Sequence, residues 1–142
     1  MPLTVEVITA ERSVVAQEAD MVVAPTMEGV IGILPRHAPL LTALGPGVMI
    51  LKKNGAEENL AISGGFLEVR HNHVLVLADT AEREDEIDEQ RATAARVRAE
   101  EALRDAAQHP QDLSTEAARI ALRRSMARLD VVQRRRRRRP NP

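Results

Sequence analysis

Two pairs of charged residues could do chemistry together. Asp88 and Arg91 stand three apart, with the small Ala92 beside them, and Arg124 and Arg128 stand four apart further along. Both spacings put a pair on one face of a helix. Two antiparallel helices would bring the start of one beside the end of the other, so all four side chains can converge. Arginines one turn apart repel mildly unless an anion or a carboxylate lies between them. Such a cluster can grip a triphosphate through bidentate guanidinium contacts, with Ala92 leaving space for a base or sugar. The alternative is structural: an internal salt bridge from Asp88 to the two arginines.

A second cationic feature closes the chain. Six arginines run from Arg134 to Arg139, behind Arg119, Arg123, Arg124 and Arg128. The formal net charge of the 142 residues is only -1, so this basicity is concentrated rather than spread. Residues 110–142 hold ten basic and three acidic side chains, whereas residues 1–80 hold five and nine. A block of this kind either seeks an anionic surface or serves as a solvated tail.

Other chemistries lack their residues. Ser63 precedes Gly64-Gly65 without a nucleophile-elbow pattern or an acid–base partner, and the two glycines read as a tight strand connection. His37, His71, His73 and His109 are scattered, so His71-Asn72-His73 reads as a turn and no metal site is expected. The absence of cysteine excludes disulfides and thiolate chemistry. No glycine-rich phosphate loop is present. Phe66 is the only aromatic residue, which leaves no platform for stacking bases and argues against specific nucleic-acid binding. No apolar run approaches the length of a membrane span, and no signal peptide is expected. A catalytic role for the isolated chain is not expected.

The elements that must position these residues fall into two regions. Residues 1–80 read in period two, with short aliphatic or β-branched runs at 20–24, 47–51, 58–62 and 74–78 separated by glycine and proline. Asn54-Gly55 is a two-residue hairpin turn. This pattern predicts an antiparallel β-sandwich or flattened barrel over 1–84. From Ala81 the period changes. Asp85 is placed to cap a helix over about 86–107, with Ala92, Ala95, Ala99, Ala102 and Ala106 on one face. After a break around His109 and Pro110, Asp112 is placed to cap a second helix over about 113–132. Its seam is Ala118, Leu122, Ser125, Leu129 and Val132. The expected class is α+β: the sandwich, then an antiparallel two-helix hairpin over 85–133, then a disordered basic tail over 134–142. Alanine against leucine buries little area, so the hairpin should be weakly held and able to dock or undock.

The segment Gly29-Val30-Ile31-Gly32-Ile33-Leu34-Pro35-Arg36-His37-Ala38-Pro39-Leu40-Leu41 closely resembles a signature of the epsilon subunit of bacterial and chloroplast F-type ATP synthases. Ile62-Ser63-Gly64-Gly65-Phe66-Leu67-Glu68-Val69, followed by Val74 to Glu82, resembles its second signature. The resemblance covers residues 1–132 in order. The arginine run and Pro140-Asn141-Pro142 depart from it.

The resemblance implies a non-catalytic central-stalk subunit bound to the gamma subunit. Its sandwich would touch the ring of c subunits and rotate with it, coupling ion flow to ATP synthesis on the alpha and beta subunits. It implies a peripheral place on the cytoplasmic face of a bacterial plasma membrane, or on a thylakoid membrane. Glu28, Arg36 and His37, in the loop from Glu28 to His37, are then the candidates for contact with gamma and the c ring. The hairpin would be the regulatory part: folded down it permits rotation, and extended along gamma it blocks ATP hydrolysis. Some members bind ATP in the folded-down state through an Ile/Leu-Asp-x-x-Arg-Ala motif and two arginines of the second helix. Ile87, Asp88, Arg91 and Ala92 match that motif, Arg124 and Arg128 match the arginines, and Glu82 matches a further position. ATP is thus implied as a regulatory ligand, with no cofactor required. Arg123 and the run Arg134, Arg135, Arg136, Arg137, Arg138 and Arg139 would meet an acidic segment of the beta subunits in the extended state. A different reading keeps the chain on its own, as a nucleotide-sensing or nucleic-acid-associating protein that binds through its arginine tail.

Overall fold

Alternation of inward aliphatic and outward polar residues produces eight strands before any α-helix forms. In a computed structural model describing residues 1–108 and 114–138, these are β1 (Leu3–Ile8), β2 (Ser13–Ala19), β3 (Met21–Thr26), β4 (Gly29–Ile33), β5 (Leu40–Ala43), β6 (Gly47–Lys53), β7 (Ala56–Arg70) and β8 (His73–Arg83). They hydrogen-bond in the order β2-β1-β8-β7-β6-β3-β4, with β5 joined to β7. The sandwich is antiparallel except where β1 meets β8, which run parallel. The long path between those two strands supplies the crossover that a parallel pair requires.

Leu3, Val5 and Val7 point inward from β1, and Val74 and Val76 from β8, all fully buried. They join Val22, Ile33, Met49, Leu51, Leu60, Ile62 and Leu67 in one core. Each contributes about 1.5–3 kcal/mol by leaving water, so aliphatic residues alone suffice. Asn54 and Gly55 both adopt positive φ, as the predicted hairpin turn requires, and His71 and Asn72 do the same between β7 and β8.

Gly64 and Gly65 depart from the predicted strand connection. They bend β7 in its middle: residues before them pair with β6, and residues after them with β5. One strand therefore serves both layers of the sandwich. A Cβ on Gly65 would lie 2.0 Å from the carbonyl oxygen of Leu77, and the residue has φ 108°, so only glycine fits. The stretch from Glu28 to His37 is likewise not one loop. Its centre is β4, an edge strand paired with β3. Glu28 sits before that strand and Arg36 and His37 beyond it, roughly 20 Å away by strand rise.

A 3-10 turn at Glu84–Glu86 joins the sandwich to α1 (Glu89–Ala107), and α2 (Ser114–Arg138) follows. Helix α1 starts later than predicted, and Asp88 rather than Asp85 caps it. The reason is Glu86, which accepts from the Arg83 amide at 3.1 Å and from Arg12 at 2.7 Å, closing a tight turn first. Helix α2 runs on to Arg138, so the predicted disordered tail is helical to that point. Arginine is a good helix former, and Arg134 pairs one turn back with Asp130 at 3.1 Å. The predicted cap Asp112, with His109 and Pro110, lies outside the described residues, as do Arg139 and the residues after it.

Buried helix positions recur every seven residues, at Ala92, Ala99 and Ala106 in α1 and at Ala118, Ser125 and Val132 in α2. That repeat lets two helices pack closely over several turns. Helix α2 also buries Ala127 and Val131 and carries the hairpin's contact with β6 and β7.

Candidate functional site

The start of α1 meets the far half of α2 beside the end of β8. There Ile87, Asp88, Arg91 and Ala92 line a cleft of about 420 Å³ together with Arg128 of α2 and Glu82 of β8. The volume suits a small molecule. Ala92 is only 2% exposed and forms a small-residue floor. The sandwich and both helices each supply part of the wall.

Asp88 bonds neither arginine. Its carboxylate accepts from the Arg91 amide at 3.1 Å and caps α1, where negative charge also suits the helix dipole. Arg128 donates from Nη2 to Glu82 Oε1, and Arg124 donates from Nε to Ser63 Oγ at 3.2 Å. The salt bridge from Asp88 to the arginines is therefore replaced by bonds from α2 to β7 and β8. The Asp88 carboxylate is committed to the Arg91 amide of its own helix, while the strands lie directly beneath α2.

Arg124 does not reach the main cleft. It borders an adjoining one of about 300 Å³ between the helices, shared with Arg98 and Arg128. Arg98 borders both clefts and was not among the expected residues. Its signal is the spacing of seven from Arg91, which returns to the same stripe of a helix. At the mouth, the hydrogen bond from Arg12 holds the Glu86 carboxyl below its usual range. Glu86 in turn raises the Arg12 guanidinium. This pair fastens the β1–β2 link to the 3-10 turn. Among the described residues, no group of three or more His, Asp or Glu could hold a metal ion.

Two family models match the chain in succession: the beta-sandwich domain of the ATP synthase Delta/Epsilon chain over residues 2–84, and its long alpha-helix domain over residues 85–133. The ATP synthase epsilon chain of Herpetosiphon aurantiacus is 56% identical over 97% of this chain and 99% of its own length. The chain belongs to the ATP synthase epsilon family. An epsilon chain of Dehalococcoides mccartyi is 48% identical over 94% of each chain. The fold also matches a chain of the Euglena gracilis mitochondrial ATP synthase, with a TM-score of 0.77 and 23% identity, over 93% of this chain and 81% of that one. Epsilon chains are non-catalytic subunits of the synthase, and an inhibitory role is typical of the family. The stand-alone reading gives way to this membership. As an F1 subunit the chain is peripheral to the membrane, and no helix among the described residues is long and apolar enough to cross one.

The remaining candidates of this epsilon family member are spread over the surface. Glu28 is exposed at the β3–β4 turn, where its amide donates to Thr26 Oγ1 at 3.2 Å. Arg36 has φ 67° and donates its amide to Asn72 Oδ1 at 2.6 Å. His37 turns its Nδ1 to the Ala38 carbonyl at 2.7 Å. Arg36 therefore belongs with the β7–β8 turn, His37 bonds within its own segment, and Glu28 sits with the β3–β4 turn. Arg123 and Arg137 are exposed on α2. Arg136 is engaged, with Nη2 at 2.5 Å from Glu89 Oε2.

Proposed function

We infer that this chain is a rotor subunit whose hairpin brakes ATP hydrolysis when extended and is held down by bound ATP. The observation that supports this reading is the meeting of Ile87, Asp88, Arg91 and Ala92 with Arg128 and Glu82 on one cleft. Arg91 and Arg128 offer guanidinium forks to phosphate oxygens. Glu82 and Asp88 offer acceptors to ribose or base, and Ala92 leaves room for them. The cleft has walls from both the sandwich and the hairpin, so a ligand there favours the folded-down conformer over the extended one. Extended, the hairpin would carry Arg123 and the arginine run to an acidic surface of the beta subunits.

The outer sheet face supports gamma as a partner. Leu41, Phe66 and Leu77 are 69%, 57% and 51% exposed, and Phe66 lies opposite both Leu77 and Ala43 across neighbouring strands. An apolar patch of this kind marks a protein contact. Glu28, Arg36 and His37 would face the c ring and gamma, at the cytoplasmic face of a bacterial plasma membrane or on a thylakoid membrane.

Titration calorimetry tests the nucleotide site. ATP should bind at one site, and Arg91→Gln and Arg128→Gln should each weaken it at least tenfold, on the order of a lost charged hydrogen-bond pair. The absence of binding at millimolar ATP would remove the regulatory part. Hydrolysis by the catalytic head with gamma, with and without this chain, tests the brake itself.

A further inference from the structure

The corner that follows β4 is built under strain. Pro35 fixes its own φ at about −65°, Arg36 has φ 67°, and the His37 amide donates to the Leu34 carbonyl at 3.2 Å. Together these make Leu34–His37 a type II turn, with arginine at the position that glycine or asparagine ordinarily fills. A side chain with a Cβ is crowded there, and such strain persists only where the surroundings hold it in place. Asn72 supplies that hold. Its Oδ1 accepts from the Arg36 amide at 2.6 Å, across 36 residues of sequence. Its own carbonyl accepts from the Thr4 amide at 2.8 Å, which ties the residue to β1. His71 and Asn72 have φ 49° and 59°, the two-residue hairpin turn that asparagine suits. Arg36 itself is exposed, and among the described residues its guanidinium has no bonded partner.

We propose that Asn72 is a positioning residue: it locks the Leu34–His37 turn and so presents the Arg36 guanidinium as a preformed cationic tip to an acceptor-rich protein surface of the rotor. Glycine in this turn would relieve the strain at once. Arginine keeps the strain, and what it adds is a rigid fork of donors for carboxylates or free helix-end carbonyls. Fixing the turn before contact removes part of the ordering cost of association. The two halves of Asn72 have separate tasks. Its backbone makes the hairpin turn and holds β1, and its carboxamide alone reaches Arg36. This role rests on the reading of Arg36 as a contact with gamma and the c ring.

Equilibrium binding of the full chain to a purified rotor of gamma and c ring tests the role. Asn72→Gly keeps the positive φ and the Thr4 bond but loses the carboxamide. It should weaken binding roughly fivefold, the scale of one hydrogen bond, with the urea midpoint little changed. Asn72→Asp keeps an acceptor in the same place and should bind as the native chain does. Arg36→Asn suits the left-handed turn without the cation. It should raise the urea midpoint and weaken binding about tenfold, as for a lost charged contact. The double variant Asn72→Gly with Arg36→Asn should bind no more weakly than Arg36→Asn alone, because Asn72 acts through Arg36. Native binding by Asn72→Gly, no rescue by aspartate, or additive losses in the double variant would each overturn the role of Asn72 while leaving Arg36 as a contact. Native binding by Arg36→Asn would remove the contact itself, and the positioning role with it.

Discussion

Arg124 of α2 donates to Ser63 of β7 at 3.2 Å, one residue ahead of the glycine bend. Ser63 is 5% exposed, so a nearly buried hydroxyl anchors the helix arginine to the sheet. Ser63→Ala should lower the urea-unfolding free energy by about 1 kcal/mol, the net worth of one such bond. An unchanged midpoint would show that Arg124 finds an equivalent partner in water.

Asp88 serves the helix before it serves any ligand. Asp88→Ala should cost about 1 kcal/mol through the lost cap, seen as earlier melting of the helical circular dichroism signal. Asp88→Asn keeps a capping oxygen and should keep that stability. If the asparagine variant also loses ATP affinity, the carboxylate acts on the nucleotide in its own right.

Gly65→Ala should cost about 3 kcal/mol or more, because strained φ and a backbone clash act together. The Leu77 carbonyl that a Cβ would strike belongs to the adjoining strand and has nowhere to retreat within a paired sheet. Urea denaturation of the variant checks this. Gly55→Ala, where a Cβ meets nothing within 4 Å, should cost clearly less.

The Glu86 carboxyl titrates lower in the folded chain, chiefly because of its bond from Arg12. A depressed folded value means the ionised form favours folding above the unfolded carboxylate pKa. That contribution is lost as pH falls through the folded value. Between pH 7 and pH 3 the native chain should therefore lose more stability than Glu86→Gln does. Parallel urea titrations of the two chains read the difference.

Phe66 lies outward beside Leu77 and contributes little to the core. Phe66→Glu should leave the unfolding free energy within about 0.5 kcal/mol while abolishing capture by gamma in a pull-down of purified subunits. Retained capture would move the gamma contact off this face.

The sandwich was legible because period-two burial and the Asn54-Gly55 turn are local signals. Gly64-Gly65 was misread for a physical reason: positive φ at paired glycines looks the same in a turn and in a bent strand, and only the partner strand distinguishes them. Strand β4 was hidden by Gly29, Gly32 and Pro35, which punctuate an edge strand as readily as a loop. The motif residues of the cleft could be named from sequence, but their bonds could not. Arg128 with Glu82 and Arg124 with Ser63 join residues 46 and 61 positions apart. Helicity from Arg134 to Arg138 was obscured likewise, since a block of like charge reads as solvated until partners such as Asp130 and Glu89 are seen.

The seven-residue alanine repeat has a consequence for life in a crowded cell. A part that travels between two positions must tolerate water on whichever face it bares. Alanine and serine fill most of the buried positions of α1 and α2, with Val131 and Val132 as the larger buried exceptions and Leu122 and Leu129 half-buried beside them. Opening the seam between the two helices uncovers mainly small side chains rather than a broad greasy surface of the kind that glues proteins together. The sparse packing that makes the hairpin easy to release also keeps it safe once released.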